Sequence, residues 1–177
     1  MTDFPGARWW KFDFHTHTPA SIGDFLPGVP QQERAEITPE TWLLKYMQAG
    51  IDCVAITDHN TGEWIDRLKQ ANRSLAERRP EGYRDLFVFP GVEISANGGV
   101  HLLAVLDPEG GSREIDTLLA EVQYSGTRGH SDGVTECSLV QIAEKVAKRG
   151  GLLIPAHVDR EKGLLRLRQT HDAATGA

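Results

Sequence analysis

The chain has 177 residues, 40% hydrophobic and 25% charged, with a net charge of −6. That is enough for one globular domain with its own core, and the acidic balance excludes capture of nucleic acid by bulk charge. Two cysteines, Cys53 in a predicted strand and Cys137 in a predicted loop, exclude a disulfide framework, and no apolar run nears the roughly 18 residues of a bilayer span. The opening Met1-Thr-Asp-Phe-Pro-Gly6 lacks a basic-then-apolar signal pattern, so a cytoplasmic location and no membrane partner are expected.

Strand-like and helix-like segments alternate, which predicts an α/β fold with a largely parallel sheet. Residues 1–10 read as a lead-in, 11–165 as the domain and 166–177 as a disordered tail. A first strand over Lys11–His15 places Phe12 and Phe14 on one face and Asp13, His15 and His17 on the other. A loop to about Ile37 follows, then Thr38-Pro39-Glu40 opens a helix that carries Trp42, Leu43, Tyr46 and Met47 inward and closes at Gly50.

The second strand, Cys53–Thr57, runs into Asp58-His59-Asn60, and a polar helix from Glu63 to Arg79 stops at Pro80. Its basic residues, Arg67 to Arg84, form either a face that guides a polyanion or a solvated one. A third strand, Leu86–Phe89, leads through Pro90-Gly91 to Glu93. Asn97-Gly98 signals a hairpin, and a three-residue loop centred on Asn97 would pair Glu93 with His101. A helix near Arg113–Gln123, a polar loop, a helix boxed by Ser138 and Gln141, and a last strand, Leu152–Ile154, end at His157.

Five apolar runs thus deliver a metal-type ligand where a strand stops. Side by side, their carboxyl ends would gather His15, His17, His59, Glu93, His101 and His157 on one rim. A mixed imidazole and carboxylate set suits Zn, Mn or Fe. Glu93 is placed to bridge two ions, and Asp13, Asp58 and Asp24 are candidates for orienting a histidine or for ligation. Arg160 and Lys162, beside His157, either hold a phosphate or form a solvated turn. His130 and His171 read as bystanders.

These segments, Phe-Asp-Phe-His15-Thr-His17-Thr, Ala-Ile-Thr-Asp58-His59-Asn, Pro-Gly-Val-Glu93-Ile-Ser, Val-His101-Leu-Leu and Ile-Pro-Ala-His157, resemble successive motifs of the PHP (polymerase and histidinol phosphatase) domain. The resemblance covers about residues 10–165. It implies a distorted (βα)7 barrel with two or three divalent ions at the C-terminal ends of its strands, held by those six residues, for phosphoester hydrolysis through metal-activated water. Glu93, His157 and Asp58 are the residues expected to serve the chemistry. The substrate would be a phosphorylated small molecule or a nucleic-acid end.

The opening Trp9-to-Ser21 segment and Pro155-to-Lys162 resemble more narrowly PHP domains fused to an AAA/SMC-like ATPase, which makes an ATPase a candidate partner. The family's final Asp-x-His motif is absent, His171-Asp172 having the reverse order. The barrel is therefore expected to be incomplete, its open edge favouring self-association and weak activity. The alternative function is a non-catalytic, metal-stabilised module that docks on an ATPase. A metal-dependent amidohydrolase also begins with His-x-His, but no strand end here offers the lysine such a site uses.

Overall fold

The computed structural model describes residues 8–22, 24–160 and 162–165. Most of the lead-in and the whole expected tail, with His171, lie outside them. Five strands, β1 (Phe12–Thr16), β2 (Cys53–Ile56), β3 (Phe87–Ser95), β4 (His101–Val105) and β7 (Leu152–Pro155), form one sheet in the order β1-β2-β3-β4-β7. A separate two-stranded ribbon joins β5 (Tyr124–Ser125) to β6 (Val134–Thr135), inside the segment expected to be loop. Among the described residues the sheet is thus a curled, incomplete half-barrel rather than a seven-stranded barrel.

The hairpin expected at Asn97-Gly98 makes β4 the exception in a largely parallel sheet. β1, β2 and β3 pair in parallel, but β4 is antiparallel to both β3 and β7. Four strands therefore share a direction, and β4 begins at the rim where the others end. The hairpin before it closes one residue later than expected. Ala96 N–H donates to Val100 O at 2.8 Å, so the loop centres on Gly98, and His101 pairs with Ser95 while Glu93 pairs with Leu103. Gly98 and Gly99 take φ of 85° and 78°, which glycine adopts without steric cost, and this selects the register.

Helices α2 (Pro39–Gln48), α3 (Ile65–Arg78), α4 (Ser112–Glu121) and α5 (Leu139–Lys148) pack on one face of the sheet. Leu43, Met47, Leu68, Leu75, Leu118 and Ile142 meet Val54, Ile56, Val92 and Ile94 there, all buried. α2 is capped by Thr38 and α5 by the Ser138–Gln141 box, as their sequences predict. Cys137, expected in a loop, is buried against this core, its thiol near Glu121 O. A short helix α1 (Gln31–Ala35) lies in the first long loop, where none is predicted.

The opposite face follows the pairing register, Phe12 beside Cys53 beside Phe87 and Ala55 beside Phe89. It is apolar and partly uncovered, with Phe87 50% and Leu152 51% exposed. Trp10 meets Phe87 edge-on, and Phe12 stacks on Phe14. No helix among the described residues is long and apolar enough to cross a membrane.

At the far end from the histidines, Asp52 joins the starts of three strands. Its carboxylate accepts from Lys11 N–H at 2.9 Å, Arg84 at 2.7 Å and Arg8 at 3.2 Å, while its carbonyl accepts from Phe87 N–H. The Lys11 amide foremost, with the two guanidinium groups, outweighs burial and holds this carboxyl below the usual carboxylate range. A depressed acid contributes stability above its unfolded value, about 3.9, and loses it as pH falls through the folded value. Asp52→Asn should therefore lower the urea midpoint at neutral pH, with the gap to the parent closing in acid. An equal gap at both pH values would contradict this account.

Candidate metal centre

Glu93 lies deep in the sheet, its side chain 1% exposed, because β3 runs unbroken through Pro90-Gly91 to Ser95 instead of stopping at Phe89. Gly91 permits this. A Cβ there would stand 2.9 Å from Ala104 O and 3.0 Å from Ile56 O, too close for any side chain. His59 extends the parallel pairing as an isolated bridge to Glu93, with Glu93 N–H donating to Asp58 O and Asn60 N–H to Glu93 O.

Five imidazoles surround this one carboxylate. Oε2 lies 2.9 Å from His15 Nε2, 3.4 Å from His17 Nε2 and 3.3 Å from His59 Nδ1. Oε1 lies 2.7 Å from His101 Nδ1 and 3.3 Å from His157 Nε2. Asp24 closes the outer side, 3.1 Å from His59 Nε2. The reversed β4 explains His101, which reaches the rim from the start of its strand; the other strands arrive by their carboxyl ends. His157 joins through a strained backbone, at φ of 28°.

The electrostatics follow from burial set against this ring. Burial works to raise the Glu93 pKa, but hydrogen bonds from His101 and His15 and the neighbouring His59 outweigh it, leaving the carboxyl well below its usual range. The hydrogen bond to Glu93 raises His15. Burial pushes His17 down to about 4 and also lowers His59, so both are neutral at neutral pH. Neutral imidazoles and an ionised carboxylate are the protonation states that ligate a metal.

The residues present fit a divalent ion on three counts. His15, His17 and Glu93 form one group with ligand atoms within 4.8 Å of one another, and His59, Glu93 and His101 form a second. The three separations of 3.3–3.4 Å match ligands about 2.1 Å from a shared tetrahedral ion, which stand about 3.4 Å apart. His59 Nδ1, which faces Glu93, is buried with no hydrogen-bond partner among the described residues, a costly state without an ion or water.

Ser21, a residue the sequence does not single out, adds a further sign. Its hydroxyl donates to Asp58 at 2.7 Å and accepts from His59 N–H at 3.0 Å. With its proton spent on Asp58, it accepts from His17 Nδ1 at 3.1 Å. His17 Nε2 is then left with a lone pair facing a carboxylate oxygen, an arrangement that a cation between them would stabilise.

Asp58 and Asp13 stand behind the cluster rather than in it. Asp58 is buried beneath the site, its carboxylate taken by Thr18 N–H, Thr18 Oγ1 and Ser21 Oγ, each at 2.7 Å. Burial nonetheless pushes its carboxyl up to about 6. It holds the loop that carries His17 rather than facing the cluster. Asp13 does not share a face with His15, because β1 slips register between Asp13 and Thr16. Its carboxylate accepts the backbone N–H of His15, at 3.2 Å, instead of an imidazole.

Of the two expected cations, Lys162 lines the 270 Å³ pocket over the cluster, tethered to Ser131 Oγ at 3.2 Å; Arg160 is exposed and outside that lining. His130 contributes only a backbone carbonyl, to Asn60. Three cations of the basic segment are engaged in structure. Arg78 pairs with Glu40, Arg84 with Asp52, and Lys69 bonds the carbonyls of Pro108 and Gly110.

No protein-family model matches the sequence, and no curated protein sequence matches it. Among solved structures, the lesion-specific endonuclease PfuEndoQ from Pyrococcus furiosus is similar, with a TM-score of 0.55 and 16% identity over 89% of this chain and 37% of that one. A candidate metal-dependent phosphoesterase from Bifidobacterium adolescentis is 24% identical over 64% of this chain and 33% of its own, with a TM-score of 0.38. The chain spans about a third of the length of either. The likeness to the endonuclease is one of fold. On that fold the chain carries two groups of metal-type ligands that share Glu93.

Ser21→Ala tests the support beneath this cluster. Removing the hydroxyl leaves the buried Asp58 one partner short and His59 N–H bare, at a cost of about 1–3 kcal/mol. It also frees the His17 ring, which should weaken Zn²⁺ binding by about 10–100-fold. Urea unfolding in chelator measures the first effect and competition with a chromogenic chelator the second.

Proposed function

We propose that this chain is a metal-dependent phosphoester hydrolase whose His15, His17, His59, Glu93, His101 and His157 hold two or three divalent ions of the Zn, Mn or Fe class. The observation that carries the reading is the convergence of five imidazoles on one buried carboxylate, with Asp24 on the solvent side. A purely structural ion pair needs one partner, and five imidazole rings around one acid make a poor packing solution.

When bound, the ions supply charge that neutralises phosphoryl oxygens and lowers the pKa of water. The chain's own residues do the rest. Glu93 serves both ligand groups with its two oxygens and so sets their spacing. Lys162, tethered to Ser131, stands at the mouth to pair with a phosphate oxygen. Asp58 and Ser21 fix the tautomer of His17 and leave its Nε2 free. Asp24, with half of its side chain exposed, is the group best placed to take a proton at the open side. The substrates in view are a phosphorylated small molecule or a nucleic-acid end.

A second reading is favoured by the apolar face around Phe87 and Leu152 and by the edges of β1 and β7, none of which is covered among the described residues. In it, the cluster binds metal to stabilise a module that docks on a larger partner such as an ATPase.

Chelator-treated protein separates these readings. Mn²⁺ or Zn²⁺ at about 100 times its dissociation constant should stabilise the fold by about 2.7 kcal/mol, read as a higher melting temperature. In Glu93→Gln a roughly 100-fold loss of metal affinity should cut that stabilisation to about 0.4 kcal/mol at the same metal concentration, and turnover of a generic phosphomonoester or diester should fall by more than about 100-fold. A melting shift without turnover would favour the docking module. Neither a shift nor retained metal would remove both readings.

A further inference from the structure

A second cavity, of about 520 Å³, opens beside the cluster and shares His15, His17 and Asp24 with it as a common wall. Its far side is built by Phe25 and Leu26 of the first long loop, Ile37, and Trp42 and Tyr46 of α2. Nothing in the residues assigned to the metal centre uses this space. Its volume lies within the roughly 300–1,000 Å³ of small-molecule sites, whereas the 270 Å³ pocket over the ligands falls below that range.

We infer that this cavity seats the organic group of the substrate, and that the group is apolar and of aryl size, esterified to a phosphate that sits over the histidine cluster. The inference rests on the hydrolase reading and names the substrate class for it.

The lining disfavours polar groups because several of its own polar atoms are already paired and most of its surface is apolar. Trp42 Nε1 donates to His17 O at 3.1 Å. Thr16 Oγ1 donates to Ala55 O at 2.7 Å, and Thr41 Oγ1 is engaged with Thr38 in the α2 cap. What faces the space is chiefly hydrocarbon and ring, with Lys45 the single ammonium among its described lining residues. A sugar or polyol entering here would find partners for few of its hydroxyls beyond Lys45 and the Tyr46 phenol, a penalty an aryl group avoids. The wall shared with the cluster directs the ring inward from the phosphate.

Leu26 gives an independent sign. It holds φ of 48°, a left-handed conformation that a leucine rarely adopts, and the residue, 43% exposed, lines this cavity. Such strain costs about 1–3 kcal/mol and is found where function needs a side chain held in place. An aryl group in the cavity would cover Leu26 and offset part of that cost.

The test compares 2-naphthyl phosphate with methyl phosphate on the Mn²⁺-loaded 177-residue chain by calorimetric titration. The naphthyl ester should bind about tenfold tighter or more, since burial of a ring contributes beyond the shared phosphate. Ile37→Trp, which fills the cavity, should abolish that preference and leave Mn²⁺ and methyl phosphate binding unchanged. Leu26→Ser, which opens the wall, should reduce it without adding volume and serves if the tryptophan variant does not fold.

Equal affinity for the two esters in the parent chain, or a naphthyl preference that survives both substitutions, overturns the inference. Loss of Mn²⁺ binding altogether would instead count against the hydrolase reading. The cavity is then judged by 2-naphthol in the presence of chelator: binding that Ile37→Trp removes supports the apolar seat, and no binding to the parent overturns it.

Discussion

The burial of Glu93 is the constraint on which the rest of the site depends. An ionised carboxylate so deep in a sheet is untenable alone, because its desolvation costs several kcal/mol. Every strand end around it answers that cost with an imidazole, and the loops are arranged to deliver those rings. Gly91 lets β3 pass close to its neighbours, the reversal of β4 turns His101 toward the acid, and Asn60 ties the end of β2 to Ser95 through Ser95 N–H at 3.0 Å and Ser95 Oγ at 2.9 Å. A network of this kind is strongly cooperative, since removing any ring leaves the acid less compensated than before.

The two faces of the sheet divide the work. The helix-covered face is a close-packed apolar layer and supplies the stability that holds the rim steady. The other face begins at the metal-type ligands and runs away from them as a surface of phenylalanines, which no described element covers. A rigid back and an open front are compatible with a site that must admit a ligand, and the Asp52 clamp keeps the strands aligned at the end remote from the chemistry.

The six ligand-type residues were legible in the sequence because each follows or begins an apolar run, and strand ends are where an α/β sheet presents chemistry. Features set by backbone geometry were not. The slip in β1 that separates Asp13 from His15 has no compositional mark, and the hairpin register turned on which of three adjacent residues adopts positive φ. Ser21 was invisible for a different reason. A lone serine in a turn carries no periodicity, and only its place between Asp58, His17 and His59 gives it a role. Arg160 and Lys162 look equivalent on paper, yet the turn after His157 sends only the lysine to the cluster.

The reversed β4 also bears on the order in which the site assembles. Glu93 and His101 belong to one hairpin and lie only eight residues apart in sequence. Hairpins close in about 1–10 μs, whereas pairings that must close long loops come later. The most demanding group of the site therefore meets its first imidazole through a local contact, before β1 and β7 bring His15 and His157 from opposite ends of the chain. The acid's nearest imidazole in sequence is thus supplied by its own turn.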